Sequence, residues 1–152
     1  MTDATPQVTS GLTPHLSIPD NRAKEAINFY KSAFGATERV RLLANQPMGP
    51  EPSKTPDDTR VMHAHLLVNG ASLILNDDFP EYHGGTTSPK PAAIVLHLYV
   101  DDADTWYDRA VKAGATAQMP LADMFWGDRY GHVEDPFGYT WAIAATIKGS
   151  AS

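Results

Sequence analysis

The sequence predicts an α+β fold in which one β-α-β-β-β unit is used twice. Three observations predict it. The phrase HLSIPD, beginning at His15, recurs as HLYVDD, beginning at His97. FGAT at 34–37 recurs as AGAT at 113–116. Apolar alternation and helical spacing also follow one another in the same order through both halves, as an internal duplication requires.

Residues 1–11, MTDATPQVTSG, are small and polar and read as a tail. The first unit is expected over 12–77. LTPHLSI alternates apolar and polar residues, as a strand does. PDNRAKEAINFYKSAFG then sets Ala23, Ala26, Ile27, Tyr30 and Phe34 at helical spacing, predicting a helix near 21–34. Asp20 or Asn21 is the expected cap, and Gly35 the left-handed stop. ATERVRLLA is the next strand. NQPMGPEPSKTPDD holds four prolines in fourteen residues and is a loop. TRVMHAHLLV and ASLILND form a hairpin around Asn69-Gly70, a dipeptide that favours the two left-handed residues of a tight turn.

Residues 78–92 are the expected link, and 93–147 the second unit. AIVLHLYV is a strand. DDADTWYDRAVKAG is a helix near 102–113, capped by Asp101 or Asp102 and ended by Gly114. DRYGHVEDPFGYTWAIAA supplies two strands turning at Pro136-Phe137-Gly138, where proline presets φ and glycine relaxes it. Residues 148–152 form a second tail.

The composition narrows the function. Of 152 residues, 42% are hydrophobic and 20% charged, which suits a globular protein with a core of its own. The net charge of −6, with no Lys/Arg cluster, argues against a nucleic-acid partner. There is no cysteine, so disulfides, thiolate nucleophiles and cysteine-ligated metals are excluded. No apolar run is long enough to cross a membrane, and MTDATPQVTSG lacks the regions of a signal peptide. The cytoplasm is the expected location. Gly-rich phosphate loops, a Ser-His-Asp order and a dinucleotide fingerprint are all missing.

Strand parity points to a site. Alternate residues of a strand share a face. Leu12, Leu16 and Ile18 form the expected helix-packed face of the first strand, with Thr13, His15 and Ser17 opposite. Ala64, Leu66 and Val68 similarly oppose Val61, His63 and His65. Ile94, Leu96, Leu98 and Val100 oppose Val95, His97 and Tyr99. His15, His63, His65 and His97 thus avoid the apolar faces and are expected to line a pocket. His83 lies in a Gly-Gly loop and is incidental.

FWGDRYGH adds Trp126, Arg129, Tyr130 and His132 near the mouth of that pocket. The aromatic rings give stacking surface. Arg129 gives a planar donor fork that either meets an anionic group or pairs structurally with Asp128 or Glu134. Imidazoles titrating near neutrality would also strengthen anion binding at lower pH. Trp141 has the parity of a core residue.

EAINFYKSAFGA, VMHAHL and MFWGDRYGHVEDPFGYTWAIA are similar to segments of the vicinal oxygen chelate superfamily, above all its PhnB-like branch. That superfamily contains glyoxalase I, bleomycin-resistance proteins and extradiol dioxygenases, and the resemblance spans roughly residues 12–147. It implies two modules whose strands curl into half-barrels around a central cavity, and a homodimer. It also implies one metal ligand from the first and one from the last strand of each module. Those positions here are Thr13, Ile74, Val95 and Ala142, without the usual ligands.

Two functions follow. One is binding of a small organic molecule, aromatic or anionic, as in the bleomycin-resistance proteins. The other is a metal-dependent lyase, isomerase or dioxygenase, its divalent metal on a displaced set, His15, His65 and His97. No catalytic residue is assigned, and nothing resembles an adenosylmethionine site.

Overall fold

A computed structural model describes residues 11–47 and 49–148. The expected tails lie outside these residues, apart from Gly11 and Lys148. The elements run β1 (His15–Ile18), α1 (Ala23–Phe34), β2 (Thr37–Leu43), β3 (Val61–Val68) and β4 (Ala71–Asp77). A 3-10 turn at Pro80–Tyr82 follows. Then come β5 (Val95–Tyr99), α2 (Ala103–Ala113), β6 (Thr116–Asp123), β7 (Asp128–Glu134) and β8 (Thr140–Thr146). This is the predicted β-α-β-β-β order twice. The strand β6 carries Pro120 and is mostly exposed, which is why its sequence alone does not mark it as a strand.

Each half makes an open four-stranded mixed sheet, in the order β1-β4-β3-β2 and β5-β8-β7-β6. The first strand of each half runs parallel to the last, and the other pairings are antiparallel. The chain divides into two compact units. One takes the residues up to Tyr30 together with Gly35–Ser88; the other takes Lys31–Phe34 and Pro89 onward.

In the first unit Leu16, Ile18, Ala64, Leu66, Val68, Leu73 and Leu75 bury one face of the sheet. Removing a side chain of this size from water contributes about 1.5–3 kcal/mol. Leu12, expected on that face, is instead fully exposed, because β1 begins only at His15. Asn69 and Gly70 both take positive φ, 49° and 85°, as the hairpin turn requires.

In the second unit α2 packs on β6, β7 and β8. Leu98, Val100, Val133, Trp141, Ile143 and Ala145 are buried. The Trp141 ring lies 4.7 Å from that of Phe34, in agreement with its expected core role. Ile94 precedes the strand and is two-thirds exposed, unlike the rest of its parity set.

The α1 start departs from expectation. Asp20 and Asn21 sit in left-handed backbone, φ 62° and 57°. The Ala23 N–H donates instead to Oδ1 of Asp77, at the end of β4, at 2.8 Å. The other oxygen of Asp77 accepts from the Val61 N–H at 2.7 Å. In α2 the expected local cap does form, with Thr105 N–H donating to Asp102. Among the described residues, no helix is long and apolar enough to cross a membrane.

Candidate functional site

The face of the first sheet opposite its Leu16-Leu66-Leu75 side carries the histidines among apolar neighbours. Register places His15, Ile74 and His65 side by side on β1, β4 and β3, with Val40 beyond on β2. Ser17 and Asn76 form the next row, their side chains 3.5 Å apart. His63 lies two residues from His65 on the same face. Exposure falls from His15, which is open to solvent, through half-buried His63 to His65, which is 1% exposed. His65 shares its Nε2 with the Ser72 hydroxyl at 2.8 Å. Its Nδ1 is buried and meets no hydrogen-bond partner. Burial holds His63 below the usual histidine pKa, and the nearby His15 and His65 push in the same direction.

The second sheet repeats this row. His97, Ala142 and His132 lie side by side on β5, β8 and β7, with Met119 beyond. The next row is Tyr99, Ala144 and Tyr130. His65 and His132 therefore hold equivalent places, as do His15 and His97. The surroundings differ. Small alanines on the central strand let rings from the flanking strands approach one another. His97 lies 5.8 Å from Tyr130 and 6.1 Å from Tyr99, and Tyr130 lies 5.1 Å from His132.

Trp126 extends the layer, its ring edge-on to Tyr130 at 5.7 Å and to Phe125 at 5.1 Å. Hydrogen bonds fix the tips. The Tyr130 hydroxyl meets His132 Nε2 at 2.8 Å, and the Tyr99 hydroxyl donates to Asp128 at 2.6 Å. Trp126 and Tyr99 remain about half exposed. Such a layer stacks planar groups.

The structure thus groups His15, His63 and His65 in one unit, and His97, Tyr130, His132 and Trp126 in the other. Arg129 is not among them. It pairs with Ala145 on the α2 side of the sheet, and Asp104 at the start of α2 holds it at 2.9 Å with Asp123 at 3.1 Å. These two carboxylates raise its pKa. Its partners are therefore Asp104 and Asp123 rather than Asp128 or Glu134.

Tyr99 belongs to the aromatic layer although only its parity marked it. Ser72 joins through a diagonal contact across the hairpin, which needs the register to be seen. His83 lies exposed in its loop.

The donor set does not match a four-ligand metal centre. Ile74 and Ala142 stand in the middle of the two histidine rows, where neither side chain can ligate. The strands on either side of a central strand lie about 9–10 Å apart. Among the described residues, no three His, Asp or Glu side chains converge as metal ligands do.

Comparison with known proteins gives the setting. The sequence matches the Glyoxalase/Bleomycin resistance protein/Dioxygenase superfamily over residues 13–143. Uncharacterized protein Rv0887c of Mycobacterium tuberculosis is 40% identical over 145 residues, covering 93% of this chain and 77% of that protein. The crystal structure of PA1353 from Pseudomonas aeruginosa has a TM-score of 0.70 at 26% identity, covering 91% of this chain and 98% of that one. A PhnB protein from Bacillus cereus shares the fold, with a TM-score of 0.63 at 21% identity and coverage of 90% and 100%.

Proposed function

The chain belongs to the glyoxalase/bleomycin resistance protein/dioxygenase superfamily, and we propose that within it this protein binds a small organic molecule, aromatic or anionic, without a resident metal. The observation that carries this reading is the pair of equivalent rows, His15-Ile74-His65 and His97-Ala142-His132. Each places imidazoles around a central residue that cannot ligate a metal. In the second unit the aromatic layer supplies stacking surface, and His97 and His132 supply directed polar contacts, the mixture that small-molecule sites use. We further propose a homodimer, on the strength of the superfamily, and the cytoplasm as its location.

The test is a thermal-shift screen of aromatic acids, antibiotics and thiol-conjugated aldehydes on untagged protein. Hits whose shift is lost in His97→Ala and Tyr130→Ala support the reading. Hits insensitive to both place the site elsewhere. Stoichiometric Zn, Ni, Fe or Mn, lost in His65→Ala or His97→Ala, would favour the metal-dependent lyase, isomerase or dioxygenase reading instead. Light scattering at micromolar concentration should give twice the 16.5 kDa chain mass.

A further inference from the structure

His65 carries a buried side-chain nitrogen that nothing in the protein satisfies, the one such side-chain atom among the described residues. A buried polar atom left without a partner costs about 1–3 kcal/mol, and native structures leave few of them. Its equivalent, His132, bonds the Tyr130 hydroxyl. That bond is made by Nε2, the nitrogen that Ser72 meets in His65, so Nδ1 of His65 is left without a partner.

The surroundings say which partner. The Ser72 hydroxyl sits on Nε2 at 2.8 Å. Where that hydroxyl donates, Nδ1 carries the ring proton and is a donor. His15 and His63 stand nearby, and their mutual influence with His65 is felt in the lowered pKa of His63. No carboxylate of this sheet competes. Asp77 is committed to the backbone of Ala23 and Val61, and Glu38 to Arg41. Arg39, exposed at the bulge in β2, is the remaining charged residue of that strand. The cluster therefore has no anion of its own, and with the Ser72 hydroxyl donating it offers His65 Nδ1–H to one. Exposure rises from His65 through His63 to His15 at the edge of the cluster.

We propose that His65, with His63 and His15, is the docking point for the carboxylate of a small organic acid, with His65 Nδ1–H donating to it. This rests on the reading that the histidine-bearing faces bind the ligand, and it names the chemical class that the first unit recognises.

The test uses benzoate as probe, with benzamide as its neutral isostere. Side-chain imidazole resonances are followed by long-range proton–nitrogen NMR and assigned with single His→Gln variants. Benzoate should move the His65 Nδ1 resonance most and His63 next, whereas benzamide leaves both in place. His65→Gln, or His63→Gln should the first variant fold poorly, should weaken benzoate binding by about tenfold, the worth of one hydrogen bond to a charged group. His83→Gln should not change it.

A silent His65 at saturating benzoate overturns the proposal. So does an equal response to chloride, which marks an adventitious ion only, or tighter binding of inorganic phosphate. Quenching of tryptophan fluorescence by benzamide, lost in Trp126→Phe, separates the two claims. If it persists while His65 stays silent, small-molecule binding stands and the carboxylate site falls. If neither probe binds, both fall.

Discussion

The two modules begin their helices from the same phrase and cap them differently. HLSIPD and HLYVDD each place an aspartate two residues past the last apolar strand residue. In the second module Asp102 caps α2 locally, accepting from Thr105 N–H. In the first, Asp20 turns into left-handed backbone, and Asp77 reaches from the far end of β4 to the Ala23 N–H. The place equivalent to Asp77 in the second sheet is Ala145, which offers no oxygen. A helix start needs an acceptor, but the motif does not say which one. The acceptor the fold supplies from a distance is the more buried of the two, so it carries more of the stability.

The largest expected effect follows from that difference. Asp77→Ala leaves two buried N–H groups unsatisfied and should cost about 3 kcal/mol in urea unfolding. Asp102→Ala, at an exposed cap, should cost clearly less. Equal losses would mean that the two starts are held alike after all. Asp135→Ala belongs with the large effects. That buried carboxylate accepts from the Phe137 and Tyr139 backbones and from the Trp141 indole.

The next effect concerns Gly131, equivalent to Ala64. A Cβ at Gly131 would lie 2.8 Å from the Met119 carbonyl and 3.0 Å from the Leu121 N, where the irregular β6 crosses close. Gly131→Ala should cost about 1–3 kcal/mol through overpacking. The first module already carries a Cβ at Ala64, wholly buried. A neutral Gly131→Ala would show that β6 can yield.

A smaller effect is expected with pH. The folded pKa of His63 lies below its unfolded value, held down chiefly by burial. The unfolded chain therefore binds more protons in that window, and stability rises with pH. The contribution of His63 is complete above about pH 6.5, the ordinary histidine value. It is lost as pH falls from there through the folded pKa. His63→Gln should flatten the fall in unfolding free energy, and an unchanged slope would contradict the assignment. Smallest of all is the effect of Arg129→Ala on ligand affinity. Asp104 and Asp123 engage that guanidinium on the α2 side, so the affinity for an anionic hit should stay unchanged.

The fold was largely legible because periodicity and glycine placement are local. Gly35, Asn69-Gly70 and Gly114 do in the structure what their sequence positions imply. Parity found the imidazoles and Tyr99, since alternation survives wherever a strand stays regular. It failed on Leu12 and Ile94, which lie just before their strands begin. It also could not show that Val61 and His65 are buried on the histidine-face parity. What remained hidden depends on register. Ser72 on His65, Asp77 on α1 and Asp104 on Arg129 join residues that no spacing rule connects. Arg129 is the clearest case, because its neighbours Tyr130 and Trp126 do join the aromatic layer while it points the other way.

The most direct test of the account is a backbone amide chemical-shift map of the protein titrated with the strongest hit from the thermal-shift screen. Perturbations should concentrate along one of the two histidine rows, His15, Ile74 and His65 of the first sheet or His97, Ala142 and His132 of the second. The amides around Asp104, Asp123 and Arg129 should stay still. Perturbations gathered instead beside α2, around Arg129, would contradict it.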